Sequence, residues 1–120
     1  MLNRPNVSNL EEFLIHGVKY AFPAERGGMT RGFPTSYAAE PLSRLVAFAE
    51  EPVPVWPDPL GKKRGTAFAP LYKTVPKAAM RAPRLYELLA LVDAIRDGRT
   101  RERKLAEQEL GRLLREIVHE

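Results

Sequence analysis

Apolar residues recur with helical spacing at both ends of this chain. Near the N-terminus they stand at positions 10, 13, 14, 18 and 21, the intervals that place side chains on one face of a helix. Ser8 and Glu11 have the spacing of a capping box, in which each side chain accepts a hydrogen bond from the other residue's backbone N–H. The pattern predicts a helix over residues 8–22, ended by Pro23.

Further apolar stripes predict more helices. One stripe lies within residues 37–50 and has Pro41 in its first turn, where proline is favourable. Two longer stripes, within 85–95 and 105–118, predict two helices over 83–118. Between them lies Asp97-Gly98, and a glycine at this position is typical of the C-terminal end of a helix. Helices joined by so short a connection should form an antiparallel hairpin.

The middle of the chain has a different pattern. Val53, Val55 and Trp56 favour a strand, but four prolines between 52 and 59 interrupt it, and proline cannot donate to a β-ladder. We therefore predict a small Pro-rich β-hairpin over 51–70 and short helical turns over 71–82. The predicted fold is mainly α, with four to five helices, this hairpin and the C-terminal helical hairpin, in a single domain over residues 1–120.

Residues 23–36 are predicted to form a Gly/Pro/Arg loop. Backbone N–H groups of glycine-rich segments, together with guanidinium groups, can surround a phosphate or a carboxylate. Its spacing is neither that of a Walker loop nor that of a dinucleotide fingerprint. An ordered connector, with arginines that pair with carboxylates, is the alternative explanation. The candidate residues for binding a ligand or partner are Arg26, Gly27, Gly28, Thr30, Arg31, Gly32 and Thr35.

A second candidate site is the basic run Lys62, Lys63 and Arg64 at the tip of the predicted hairpin. Such a tip can contact a DNA backbone, as the wing of a winged helix does. A solvated, charged turn explains the same residues. The net charge of +4 permits contact with nucleic acid but does not require it.

Composition argues against several classes of function. The chain has no cysteine, which excludes disulfides, thiolate metal sites and cysteine nucleophiles. Its two histidines, at positions 16 and 119, are far apart, and no triad or paired-acid spacing stands out. There is no signal-peptide pattern and no apolar stretch of roughly 18 residues. We expect a cytoplasmic protein that is not an enzyme and uses no cofactor or metal.

One resemblance spans most of the chain and rests on four segments: residues 13–32, 55–59, 70–76 and 85–96. They are similar to the region C-terminal to the helix-turn-helix in small bacterial MarR-like regulators. The resemblance implies a sensing, dimerising or partner-binding domain, the companion of a DNA-reading helix-turn-helix. No recognition-helix pattern is found within this chain itself.

The favoured hypothesis is a non-enzymatic regulatory or interaction domain of a bacterial transcriptional regulator or toxin–antitoxin-like pair. It would act by self-association as a homodimer. The apolar surface of the 85–95 helix exceeds one stripe, so this helix is either central in the core or partly in contact with another subunit. It would also contact a partner, such as a protein encoded nearby. One alternative is a protein that binds a small anionic ligand or nucleotide through the Arg/Gly loop. Another is a DNA-contacting winged domain, and no membrane association is expected.

Overall fold

The computed structural model describes residues 4–46, 51–97 and 100–118. Its first helical region contains α1 (Arg4–Glu12), a π-helical turn (Phe13–Gly17) and α2 (Val18–Ala21). The other helical elements, in chain order, are a 3-10 turn (Ser36–Ala38), α3 (Leu42–Leu45), α4 (Val75–Arg81), α5 (Pro83–Asp97) and α6 (Thr100–Val118). The strands are β1 (Arg26–Pro34), β2 (Pro54–Pro57) and β3 (Lys63–Phe68). The coarse prediction of a mainly helical chain with a small sheet is confirmed for these residues.

The helical core forms where the first helical region, α3, α5 and α6 pack together. Its buried residues are Val7, Val18, Leu42, Leu91, Val92, Ala94, Ile95, Ala106, Leu110, Leu113 and Leu114. The Nη1 atom of Arg84, near the start of α5, lies 3.4 Å from Oε2 of Glu116, near the end of α6. The predicted stop includes Gly98, which is outside the described residues, so the turn of the predicted helical hairpin stays a prediction.

The first helix begins earlier than its sequence signature indicates. It starts at Arg4, so Ser8 and Glu11 lie within the helix and the predicted start at residue 8 is wrong. The extra turn carries Val7, which is 6% exposed and belongs to the core shared with α6. Packing against a helix distant in sequence therefore extends the element beyond its local capping signal.

The three strands close on one another into a small barrel. β1 pairs antiparallel with both β2 and β3, whereas β2 and β3 pair parallel at only two positions. The predicted 51–70 hairpin is therefore wrong in its pairing, although both strands lie inside that range. The two strands are held together through β1, a segment that the sequence patterns had indicated to be a loop.

Residues 26–34 form a strand in spite of their glycines and proline, so the predicted 23–36 loop is wrong over most of its length. Glycine is required there because the strands approach closely. A Cβ at Gly32 would collide with the carbonyl oxygen of Trp56, and one at Gly65 would collide with the carbonyl oxygen of Val53. The glycines thus permit the barrel to close instead of forming turns.

The predicted 37–50 helix is shorter than expected. Only the 3-10 turn and α3 are helical there, Val46 is extended, and residues 47–50 lie outside the described range. The interruption lets two buried side chains serve different parts of the core. Tyr37 packs with Val53 and Val55 near the sheet, whereas Leu42 belongs to the helical core. α4 lies within the predicted 71–82 range.

Candidate functional site

A buried polar network joins the sheet to α5. Asp93 on α5 is 1% exposed, and its Oδ2 accepts hydrogen bonds from Thr35 Oγ1 at 2.6 Å and from Trp56 Nε1 at 2.7 Å. Its Oδ1 accepts a hydrogen bond from Arg96 Nη1, also at 2.7 Å. The carboxylate therefore connects the residue after β1, the middle of β2 and the next turn of its own helix.

Arg96 extends this network to the backbone that leads into β1 and the backbone that follows β3. Its guanidinium donates to the carbonyl oxygens of Phe22 at 2.8 Å, Ala69 at 3.3 Å and Pro23 at 3.4 Å. It also lies over the ring of Phe68, 5.4 Å from the ring centroid. The charge of Arg96 is therefore satisfied within the protein, and this guanidinium is not available to an outside ligand.

Burial raises the pKa of Asp93 to about 6, while the hydrogen bonds from Thr35, Arg96 and Trp56 and the charge of Arg96 act in the opposite direction. A raised carboxyl pKa is often a sign of catalysis. Here, however, the carboxyl is enclosed and every oxygen accepts a bond from the protein. Asp93 therefore connects the sheet to α5, and the strength of its hydrogen bonds depends on whether the carboxyl is ionised and hence on pH.

The sequence patterns did not single out Asp93 and Arg96. The signal was present, since Asp93 interrupts the apolar run from Leu91 to Ile95 and Arg96, three residues after Asp93, directly follows that run. Residues at this spacing share a helix face. A carboxylate and a guanidinium on an otherwise apolar face indicate a buried ion pair, because an unpaired charge would be too costly there.

The side chains of two predicted loop residues, Arg26 and Thr35, are hydrogen-bonded to aspartates of α5. Arg26 donates to Asp97 through both Nε, at 3.2 Å, and Nη2, at 2.6 Å, and its guanidinium lies 5.6 Å from the ring centroid of Phe68. Thr35 is buried against Asp93. Both side chains are engaged within the protein, so neither can surround an anion without breaking these bonds; of the two loop arginines, Arg26 pairs with a carboxylate as the connector alternative expected.

The remaining loop residues lie along β1 and, apart from Gly32, are exposed or partly exposed. Gly27 and Gly28 are exposed, and a Cβ at Gly28 would have no neighbour within 4 Å. The hydroxyl of Thr30 donates a long hydrogen bond, 3.4 Å, to the carbonyl oxygen of Arg31. Gly32 is buried by the close approach of β2. The seven predicted residues are therefore divided among different environments and do not form one cradle.

The strand register instead brings the two predicted basic segments together. Arg31 on β1 is directly opposite Arg64 on β3, and Gly32 is opposite Lys63. Both arginines are exposed, and within the described residues neither forms a salt bridge. Lys63 lies 3.2 Å from Glu51, and Lys62 is exposed. We call Arg31, Lys62, Lys63 and Arg64 the basic patch.

Comparisons with protein-family models, with curated proteins and with solved structures give no match to this chain. In the described part of the chain, no group of three or more His, Cys, Asp or Glu residues could hold a metal ion. No helix in that part has the length and apolar character needed to cross a membrane.

Proposed function

We propose that this chain is a non-enzymatic regulatory or interaction domain that contacts the phosphate backbone of a nucleic acid through the basic patch. The supporting observation is the cross-strand pair of Arg31 and Arg64. Like charges directly opposite each other on a sheet are destabilising. A polyanionic partner would neutralise the pair and thereby remove this cost. Each phosphate contact would also release condensed counterions, which favours binding.

The chemistry of the patch suits phosphate and not base edges. Each guanidinium can donate two parallel hydrogen bonds to phosphate oxygens, and neighbouring cross-strand side chains are close enough to engage adjacent phosphate groups. Backbone contacts of this kind fix position but carry no sequence information. This division agrees with the resemblance to MarR-like regulators, in which a separate helix-turn-helix would read the DNA sequence.

A salt titration with a matched charge control tests the proposal. Binding of a fluorescently labelled DNA duplex of arbitrary sequence would be measured by anisotropy at several salt concentrations. The patch variant is Arg31→Ala/Arg64→Ala, and the control is Arg101→Ala/Lys104→Ala, which removes the same charge from exposed positions of α6. The patch variant should weaken binding and lower the slope of log K against log salt by roughly 2, since two phosphate contacts are lost.

Two affinity results would contradict the proposal, and so would an unchanged salt slope. One is that the wild-type chain fails to bind the duplex even at low salt. The other is that the α6 control loses as much affinity as the patch variant, which would assign any binding to net charge alone. Equal slopes for the wild type and the patch variant would lead to the same conclusion.

The anionic-ligand alternative is distinguished with inorganic phosphate and a nucleoside triphosphate. A ligand that binds only the native state raises the unfolding temperature. Stabilisation by these small anions, lost in Arg31→Ala, would favour a small-ligand site over a nucleic-acid surface. Arg26 would contribute little to such a site, because Asp97 already holds its guanidinium through two hydrogen bonds.

Self-association is the other part of the proposal, and exposed aromatic side chains support it. Phe13, Tyr20 and Phe22 are 45%, 78% and 47% exposed within ten residues of sequence. Exposed apolar groups of this size often mark interfaces. Light scattering on a sizing column should give the mass of a dimer, and Tyr20→Glu should reduce it to that of a monomer. A monomeric wild-type chain would remove this part of the proposal.

A further inference from the structure

A pocket with a volume of about 360 Å³ lies away from the basic patch, between the end of β1, α4 and the first turns of α5. Its apolar walls include Pro34, Ala39, Ala79, Met80 and Tyr86. This volume is within the range of small-molecule sites, at its lower end, and such sites combine apolar walls with a few polar groups.

Tyr86 gives the pocket a rigid wall. Its hydroxyl donates a 2.6 Å hydrogen bond to the carbonyl oxygen of Pro34, and its ring lies against Trp56 with the centroids 5.1 Å apart. Burial raises the pKa of Tyr86 to about 12, so the hydroxyl remains a donor at neutral pH. Met80 on the opposite element is 54% exposed and flexible enough to adapt to a ligand.

The polar groups of the pocket are acidic. Glu40 and Glu87 both line it. Glu40 has a weak contact with Arg44 at 3.6 Å, with both side chains 62% exposed. Glu87 is half-buried, and among the described residues no cation forms a salt bridge with it. A carboxylate at the side of an apolar cavity attracts a cation, and partial burial strengthens that attraction.

We propose that this pocket binds a small molecule with an apolar body and one cationic nitrogen group. The apolar body would lie between Met80 and the ring of Tyr86, and the cation would contact the carboxylate of Glu87, with Glu40 adding to the negative potential. The hydroxyl of Tyr86 and the carbonyl oxygen of Pro34 already form a hydrogen bond with each other, so they do not compete with Glu87 for the ligand. The inference is independent of the basic patch.

The test uses three probes with one carbon skeleton and different charge: 4-phenylbutylamine, 4-phenyl-1-butanol and 4-phenylbutyrate. Binding to the full chain would be measured by the fluorescence of Trp56, the single tryptophan of the sequence, and by isothermal calorimetry. The variant is Glu87→Gln, which keeps the shape and removes the charge. The control is Glu12→Gln, at an exposed glutamate of α1.

The amine should bind most tightly and the carboxylate least. Glu87→Gln should weaken the amine by about tenfold or more, because a charge-assisted contact is lost, and should leave the alcohol unchanged. Glu12→Gln should leave all three unchanged, and circular dichroism would verify that both variants are folded. The proposal is overturned if the amine does not bind, if the alcohol binds as tightly, or if Glu87→Gln leaves the amine affinity unaltered.

Discussion

The hydrogen bond between Thr35 and Asp93 can be removed with almost no change in shape. Thr35→Val replaces the hydroxyl by a methyl group, so the β-branched packing is kept while Asp93 loses one donor. The bond is short, 2.6 Å, and both residues are buried, at 0% and 1% exposed. Because both groups are buried, the substitution leaves the Asp93 carboxylate with one hydrogen-bond donor fewer in a setting where a lost donor is costly.

The expected magnitude depends on the charge of Asp93. At pH 7 the acceptor is mainly ionised, since burial raises the pKa of Asp93 only to about 6. A hydrogen bond to a charged group contributes about 1.5 to 3 kcal/mol, so Thr35→Val should cost roughly 2 kcal/mol of unfolding free energy at pH 7. Near pH 4.5 the native carboxyl is protonated, and a bond between neutral groups is worth about 1 kcal/mol. The cost of the substitution should therefore decrease on acidification.

Urea denaturation followed by far-ultraviolet circular dichroism gives both values. The matched control is Thr66→Val on β3, a half-buried threonine in the same barrel, which should change stability little at either pH. The reasoning is refuted if Thr35→Val costs less than about 0.5 kcal/mol at pH 7, a change typical of a surface substitution. It is also refuted if the cost is the same at both pH values.

Three further predictions concern the same network and the barrel. For Asp93 the native pKa of about 6 exceeds the unfolded value near 3.9. Its contribution to the unfolding free energy is therefore fully present below pH 4, and about 2–3 kcal/mol of it is lost as pH rises through 6. Asp93→Asn should remove this loss, so that the unfolding free energy of the variant, measured by urea denaturation, depends less on pH between 4 and 7. Arg96→Met should cost about 3 kcal/mol or more, because it leaves a buried carboxylate unpaired, whereas Arg112→Met removes exposed ion pairs and should change stability little; equal costs in thermal unfolding would contradict this. Gly32→Ala should destabilise by about 3 kcal/mol through its clash with a backbone carbonyl of β2, and Gly28→Ala, which has open space, should not.

Local periodicity explains which elements could be predicted. The apolar stripes within 85–95 and 105–118 match α5 and α6, because a helix face is encoded by residues three and four apart. The start of the first helix could not be predicted in the same way. Its additional turn depends on Val7 meeting α6, a contact between residues that the local sequence does not relate.

The strands were harder to predict because strand pairing is not local. The glycines and proline of residues 23–36 resemble those of a loop, and only the approach of β2 explains why Gly32 lies in a strand. The register also decides that Arg31 lies opposite Arg64. Both basic segments were identified as candidates from the sequence, but their union into one patch depends on a pairing that periodicity does not encode.

A single face of α5 holds the barrel to the helices. Tyr86, Asp93 and Asp97 bond to the end of β1, to Thr35 and Trp56, and to Arg26 respectively. Their spacing of seven and four residues places them along one side of the helix. Because these bonds meet β1 at both of its ends, the strand is fixed between them while its middle stays exposed. This arrangement explains how two opposed arginines can be presented on a defined surface: the strand that carries Arg31 is bonded to α5 through Arg26 at its start and through Pro34 and the adjacent Thr35 at its end.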